Sequence, residues 1–216
     1  ILAAYLKPFR EGKREKALPA AKLLMGSIVS NGATHLLTGE NQTALTQGYY
    51  SDYTKFSDSE AEAIRRYYDY MIRYENLFFD PELQDVTMTH TGWDNYEYQC
   101  TSHKVSSYGE AGKIWMILRE KDYRKCIYLL NLCGQSEDYW NEGKEEPNIQ
   151  KDIKFTVQVD TPVEKICFST PDGENMDAIE LSFTERATKT GKFIDFTVPS
   201  LNYWTTIWID TRKETI

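Results

Sequence analysis

The sequence predicts an α+β chain in which a helix-and-strand segment of α/β type precedes an antiparallel β-sandwich. Three observations carry that expectation. Residues 1–40 read as strand, amphipathic helix, glycine-marked turn and second strand, the order of a βαβ unit. Residues 57–80 read as a second helix with its own start signal. From Asp85 onward, short apolar runs alternate with turn residues, the pattern of an antiparallel sandwich. The boundary falls near residue 82, giving segments 1–82 and 83–216.

The elements follow in order. Residues 1–6 (ILAAYL) form an apolar, strand-like run, broken by Pro8 and Gly12. From 15 to 29 the apolar residues Leu18, Ala21, Leu24, Met25, Ile28 and Val29 recur at helical spacing. Pro19 is expected near the first turn, where a missing N–H does no harm. Asn31-Gly32 reads as a helix C-cap, because the chain must reverse through positive φ. Residues 34–37 form the next strand, which runs out into a polar loop headed by Glu40. A parallel sheet is buried on both faces, and two strands alone cannot achieve that. The chain is therefore expected to begin inside a larger α/β domain.

After a polar loop (41–56), Ser57 and Glu60 spell a capping box. The helix that follows carries Ile64, Tyr67, Tyr68, Met71, Ile72 and Phe78 on one side and stops at Asp80-Pro81. Residues 113–119 and 124–132 flank a short turn and read as a hairpin. A charged loop covers 136–150. Ile153, Phe155, Val157 and Val159 then alternate strictly with polar residues, the mark of a half-buried strand. Further strands are expected at 165–169, 178–183, 193–198 and 203–210.

Composition excludes several classes of function. Among 216 residues, 41% are apolar and 27% charged with mixed signs, as in a soluble protein with a core. A net charge of −8 argues against nucleic acid or an anionic membrane as partner. No apolar run is long enough to span a bilayer, and the start lacks the charged region and cleavage pattern of a signal peptide. Cys100, Cys126, Cys133 and Cys167 are unpatterned and read as buried, reduced thiols. His35, His90 and His103 show no ligand spacing, so neither metal nor cofactor is expected. No nucleophile-elbow, phosphate-loop, dinucleotide or zinc-protease motif is present.

The constellation with structural context is His35 at a strand and Glu40 in the loop beyond it. Ligand chemistry on α/β units gathers at the carboxyl ends of strands. The alternative is a core histidine beside a solvated glutamate. The tryptophans and tyrosines of the second half (Trp93, Trp115, Trp140, Trp204 and Trp208 among them) are of the type that stacks on sugars, but Trp115, Trp204 and Trp208 lie in strand runs and read as core.

Three stretches are similar to glycoside hydrolase family 66, the bacterial dextranases and cycloisomaltooligosaccharide glucanotransferases. They are ALPAAKLLMGSIVSNGATHLLTGE (17–40), AEAIRRYYDYMIRYENLFFD (61–80) and FTVPSLNYWTTIWID (196–210), in the family's order along nearly the whole chain. The resemblance implies the last βαβα portion of a (β/α)8 barrel over residues 1–82, with 1–6 as strand seven and 34–37 as strand eight. An antiparallel β-sandwich domain then covers 83–216. It further implies a retaining enzyme acting on the α-1,6 linkages of dextran and isomaltooligosaccharides, with dextranase favoured over the cyclising transferase. The family's catalytic aspartate and glutamate belong to earlier barrel strands, so no catalytic residue is assigned here and the chain alone is expected to be inactive. His35, Glu40 and Asn41 become the expected substrate-binding residues, on the rim of the sugar site. The implied partners are the α-glucan and the N-terminal part of the barrel, and the implied location is secreted or at the bacterial cell envelope. A noncatalytic polysaccharide-binding module is the alternative from another class, and a barrel-closing segment of another glucan-active family a weaker one.

Overall fold

The computed structural model describes residues 4–10, 12, 14–36, 38–47, 54–92 and 94–212. Its first long element is α1 (Arg14–Ser30), where alanines and leucines support a helix that buries most of its length. The helix ends in a Schellman motif. The Gly32 N–H donates to Val29 O (2.9 Å) and the Ala33 N–H to Ile28 O (3.1 Å), with Gly32 at φ +81°. Gly32 answers a second demand, since a Cβ there would stand 2.9 Å from the Arg119 guanidinium. A small sheet follows: β1 (Thr38–Gly39), β2 (Thr43–Ala44) and β3 (Thr54–Lys55).

The second long helix, α2 (Asp58–Arg73), starts at the expected capping box. The Ser57 side chain accepts from the Glu60 N–H, and the Ser57 N–H donates to Glu60 Oε2 (2.7 Å). Arg14 also pairs with the Glu60 carboxylate, so the start of α1 is tied to the start of α2. After a break at Tyr74 the chain continues as α3 (Glu75–Phe78), then β4 (Gln84–Asp85) and α4 (Thr87–His90).

The remainder is β-structure. In order come β5 (Tyr98–Cys100), β6 (Val105–Ser106), β7 (Ile114–Lys121), β8 (Arg124–Asn131), β9 (Gln150–Val159) and β10 (Val163–Ser169). There follow β11 (Ile179–Glu180), β12 (Phe183–Thr188), β13 (Gly191–Leu201) and β14 (Trp204–Thr211). One sheet has the order β11-β10-β14-β8-β7-β4, with β6 alongside β7; a second has β12-β13-β9-β5. Pairing is antiparallel except between β6 and β7. At Pro199, which has no N–H to offer, the β13–β9 ladder loses the Pro199–Asp152 pair while its register runs on unchanged, and Asp152 stands at φ +54°.

The seven-stranded sheet is covered on both faces, and its side-chain alternation sorts residues into two cores. Cys126, Tyr128, Leu130, Trp204 and Trp208 join α1, α2 and α3. Ile127, Leu129, Ile207 and Ile209 point the other way and meet Ile153, Phe155, Val157, Ile194 and Phe196 of the four-stranded sheet. β8 and β14 are thus almost continuously buried, as strands covered on both faces must be. Helices, central sheet and outer sheet make an α+β molecule of mostly antiparallel strands.

Several expectations need correction. Residues 34–36 run without a strand partner, and pairing begins only at Thr38–Gly39, in an antiparallel ladder. A strand is held by a neighbour's backbone, and the described residues bring none to 34–36. Residues 4–6 likewise form no ladder, while 1–3 and Leu37 lie outside the described residues. Pro19 is inside α1 rather than in its first turn, so the Glu15 carbonyl loses its intrahelical donor. Ile72, expected in the core, is 70% exposed, and Tyr70 is wholly buried in its stead. The strand expected over 178–183 is two elements. Ile179–Glu180 pairs with β10, whereas Phe183–Thr188 pairs with β13 in the other sheet.

Candidate functional site

The rim predicted around residue 35 is built from the end of α1 and the turn between β1 and β2. Beyond Gly32 the chain has no regular secondary structure through residue 36, and His35 is buried, at 5% exposure. Its Nε2 lies 2.7 Å from the Ala4 carbonyl, so Nε2 carries the proton and donates. Nδ1 is then an acceptor, buried and without a partner among the described residues. Burial pushes the imidazole pKa below its usual value, against the smaller opposing pull of the Ala4 carbonyl. The Tyr68 hydroxyl donates to His35 O (2.9 Å), fixing the same segment onto α2.

Glu40 and Asn41 are placed differently. They head a tight turn, Glu40–Gln42, with Asn41 at φ 55° and Gln42 at φ 59°. Asparagine tolerates that left-handed conformation better than most residues. The Thr43 hydroxyl donates to Glu40 O (2.6 Å), and the Phe56 N–H to Gln42 O (2.8 Å), so the turn is closed from both sides. Both side chains are exposed. The structure therefore brings Glu40 and Asn41 together at the surface and buries His35 apart from them, against Ala4 and Tyr68. No hydrogen bond joins His35 to Glu40 among the described residues. The exposed carboxylate and amide are suited to accept and donate hydrogen bonds to hydroxyl groups.

The rim is continuous with the start of the chain. The Leu6 N–H donates to Leu45 O (2.9 Å), and Phe9 packs edge-on against Phe56. Lys7 in turn meets the loop between β8 and β9, donating its N–H to Asn141 Oδ1 (3.2 Å) and its ammonium to Glu142 (2.9 Å).

A second concavity lies on the outer sheet, a groove of about 590 Å³ lined by Lys154, Thr156, Thr184, Asp195 and Thr197 among others. Its carboxylate is already engaged. Burial works to raise the Asp195 pKa, but hydrogen bonds from Thr156 and Arg186 outweigh it and hold the group below the usual carboxylate range. Among the described residues no group of three or more His, Cys, Asp or Glu is placed to hold a metal. The four cysteines are free thiols, Cys126 and Cys167 buried and the other two partly so. Burial raises the Cys126 thiol to about 12, so it is inert rather than nucleophilic.

The tryptophans divide largely as their positions suggested. Trp204 and Trp208 are core, Trp115 packs against it, Trp140 is 53% exposed, and Trp93 lies outside the described residues. Tyr139, 68% exposed beside Trp140, was not singled out by the sequence. Two aromatics in a polar, acidic loop were the available signal.

The sequence profile described as glycosyl hydrolase family 66 matches residues 1–208. Two curated relatives from Niallia circulans, both cycloisomaltooligosaccharide glucanotransferases, are 28% identical over 193 residues and 26% identical over 191. The alignments cover 88% and 87% of this chain but only 19% of each relative, so the chain spans about a fifth of their length. A crystal structure of a Paenibacillus sp. cycloisomaltooligosaccharide glucanotransferase complexed with cycloisomaltoheptaose superposes with a TM-score of 0.77 at 23% identity. That match covers 88% of this chain and 27% of that one, and it shares the fold. The match along residues 1–208 assigns the chain to its family: it belongs to glycosyl hydrolase family 66.

Proposed function

We propose that this chain is the C-terminal portion of an enzyme acting on α-1,6-linked glucan. In this reading residues 1–82 close a (β/α)8 barrel and residues 83–216 form a β-sandwich that buttresses it. The observation that carries the proposal is the family match from residue 1 to residue 208, which includes both the helical segment and the sheets. For the whole enzyme, the names of both curated relatives favour the cyclising transferase, with dextran hydrolysis, expected from the sequence, as the other activity.

Retaining glycoside chemistry needs two carboxyl groups about 5 Å apart across the scissile bond. In our reading this chain supplies neither. Glu40 and Asn41 bind sugar hydroxyls from the exposed turn, and His35 holds the segment before that turn against the chain near Ala4. The glucan and the rest of the barrel are the partners of this surface, and a secreted or cell-envelope enzyme follows from a polymeric substrate.

The test is the release of reducing sugar and of cyclic isomaltooligosaccharides from dextran by the purified chain and by the whole enzyme. A silent chain beside an active enzyme is the expected result. Cleavage by the chain alone would overturn the assignment of the catalytic pair elsewhere, and Glu40→Gln would then be the first variant to assay. An inactive whole enzyme would remove the α-glucan reading itself.

A further inference from the structure

The loop between β8 and β9 holds two large aromatic side chains in water, on a backbone secured from within. Lys144 is buried (5% exposed), and its ammonium donates to Glu137 Oε1 (2.6 Å), to the Tyr139 carbonyl and to Glu142 O (3.3 Å). One cation thus gathers residues 137–144 into a closed ring. Gln135, also buried, clips the far side, with Nε2 donating to Glu145 O (2.7 Å) and Oε1 accepting from the Glu145 N–H (3.1 Å). The first segment holds the loop as well, through Lys7 on Asn141 and Glu142 and through the Lys144 N–H on Lys16 O (3.1 Å).

Such a loop could fold its aromatics inward. It presents Tyr139 and Trp140 outward instead, at 68% and 53% exposure. Single exposed apolar residues are ordinary, but two adjacent aromatics on a pinned loop form a prepared surface. The polar groups around them are Glu137, Asp138, Asn141 and Glu142, which accept hydrogen bonds, and the chain carries a net charge of −8. That setting repels phosphates and other anions. It suits a neutral polyhydroxylated ring, whose C–H face lies on an aromatic plane while its edge hydroxyls donate to carboxylate and amide oxygens.

We propose that Tyr139 and Trp140 form a stacking platform for a glucose unit of a neutral glucan. Contacts at Leu6–Leu45 and Lys7–Asn141 tie the platform's loop to the segment that follows the Glu40–Gln42 turn. The choice of glucan rests on the function proposed above; the platform itself rests on the loop.

The experiment is binding of isomaltooligosaccharides to the full chain, followed by tryptophan fluorescence and by retardation in dextran-containing native gels, with cello-oligosaccharides as control. Trp140→Ala should weaken binding about tenfold and Tyr139→Ala somewhat less, while Trp140→Phe keeps most of it. Thermal midpoints should not move, because both rings are exposed. If the chain binds and all three variants bind equally well, the platform is wrong and the α-glucan reading stands. If the platform variants lose affinity for cello-oligosaccharides while isomaltooligosaccharides never bind, the platform stands and the α-1,6 reading falls. If the chain binds neither sugar, the platform is overturned.

Discussion

The two faces of the seven-stranded sheet are packed by different chemistry. The face toward the helices is aromatic: Trp204 is wholly buried, with ring centroids of Tyr70 and Phe78 at 5.0 and 5.2 Å. Nearly every tyrosine there ends on a polar partner. Tyr70 donates to Ser169 O (3.0 Å), Tyr74 to Met176 O (2.6 Å), Tyr67 to Asp172 (2.7 Å) and Tyr128 to Leu77 O. The face toward the outer sheet is mainly Ile, Val and Leu, with Phe155 and Phe196 stacked at 5.5 Å. Two sheets meet at a regular spacing that branched aliphatics fill. Helices and loops meet a sheet at uneven distances, and long aromatics with a hydrogen-bonding tip span the gap while satisfying backbone groups.

Asp172 is the centre of that difference. Its carboxylate accepts from the Tyr67 hydroxyl (2.7 Å) and from the N–H groups of Tyr203 and Trp204 (both 3.0 Å), with Lys22 Nζ 3.9 Å away. The side chain is only 2% exposed. α1, α2 and β14 are therefore joined through one charged group, and Arg66 anchors the same loop by donating to Pro171 O and Gly173 O. Gly26 allows α1 to sit this close, since a Cβ there would fall 2.7 Å from Leu130 Cδ2 and 3.1 Å from Trp204 Cγ.

The largest effect should come from Trp204→Ala, which removes the ring at the centre of the aromatic face. A loss of about 3–5 kcal/mol is expected in denaturant or thermal unfolding. Asp172→Ala should follow at about 3 kcal/mol, because three donors lose their acceptor and Lys22 its counterion. A loss no larger than that of an aliphatic truncation opposite would abolish the distinction between the faces. Tyr70→Phe should cost about 1 kcal/mol by stranding a buried carbonyl. Ile207→Val on the other face should cost a similar amount by losing a methyl group alone. A double-mutant cycle separates the causes, since Tyr70 should couple to Asp172 through Tyr67 and Trp204, and Ile207 should not.

The smallest expected effect is a pH dependence at His35. Burial lowers its folded pKa below the unfolded value of 6.5. As pH falls below 6.5, the unfolded chain takes up a proton that the folded chain resists, so stability declines until the folded pKa is passed. Above 6.5 the contribution is complete and flat. His35→Gln should remove this slope just below pH 6.5, measured by unfolding at a series of pH values, and leave the stability gap between the two sheet faces unchanged.

Local signals were legible from residues alone. Ser57 and Glu60 announced the start of α2, Asn31-Gly32 the end of α1, and the alternation of 153–159 a half-buried strand. Each depends on neighbours a few positions apart. Glu40 and Asn41 were expected beyond a strand at 34–37 but lie in the turn between β1 and β2, and the enclosure of His35 depends on Ala4, far away in sequence. Ile72 and Tyr70 exchanged roles because a helical wheel shows which residues share a side, not how wide a stripe the neighbouring sheet covers.

By itself the sequence determined the two long helices, the caps at Ser57 and Asn31-Gly32, the main antiparallel strands, and membership of family 66 along residues 1–208. The tertiary structure decided what each strand faces, since burial on a second face depends on whatever lies across it. It also separated residues 178–183 between two sheets and left residues 34–36 without a strand partner. The outward set of Tyr139 and Trp140 was decided in the same way. That set rests on the Lys144 ring within the loop and on Lys7, more than 130 residues away in the chain. Contacts of that span are set by packing, and no local pattern encodes them.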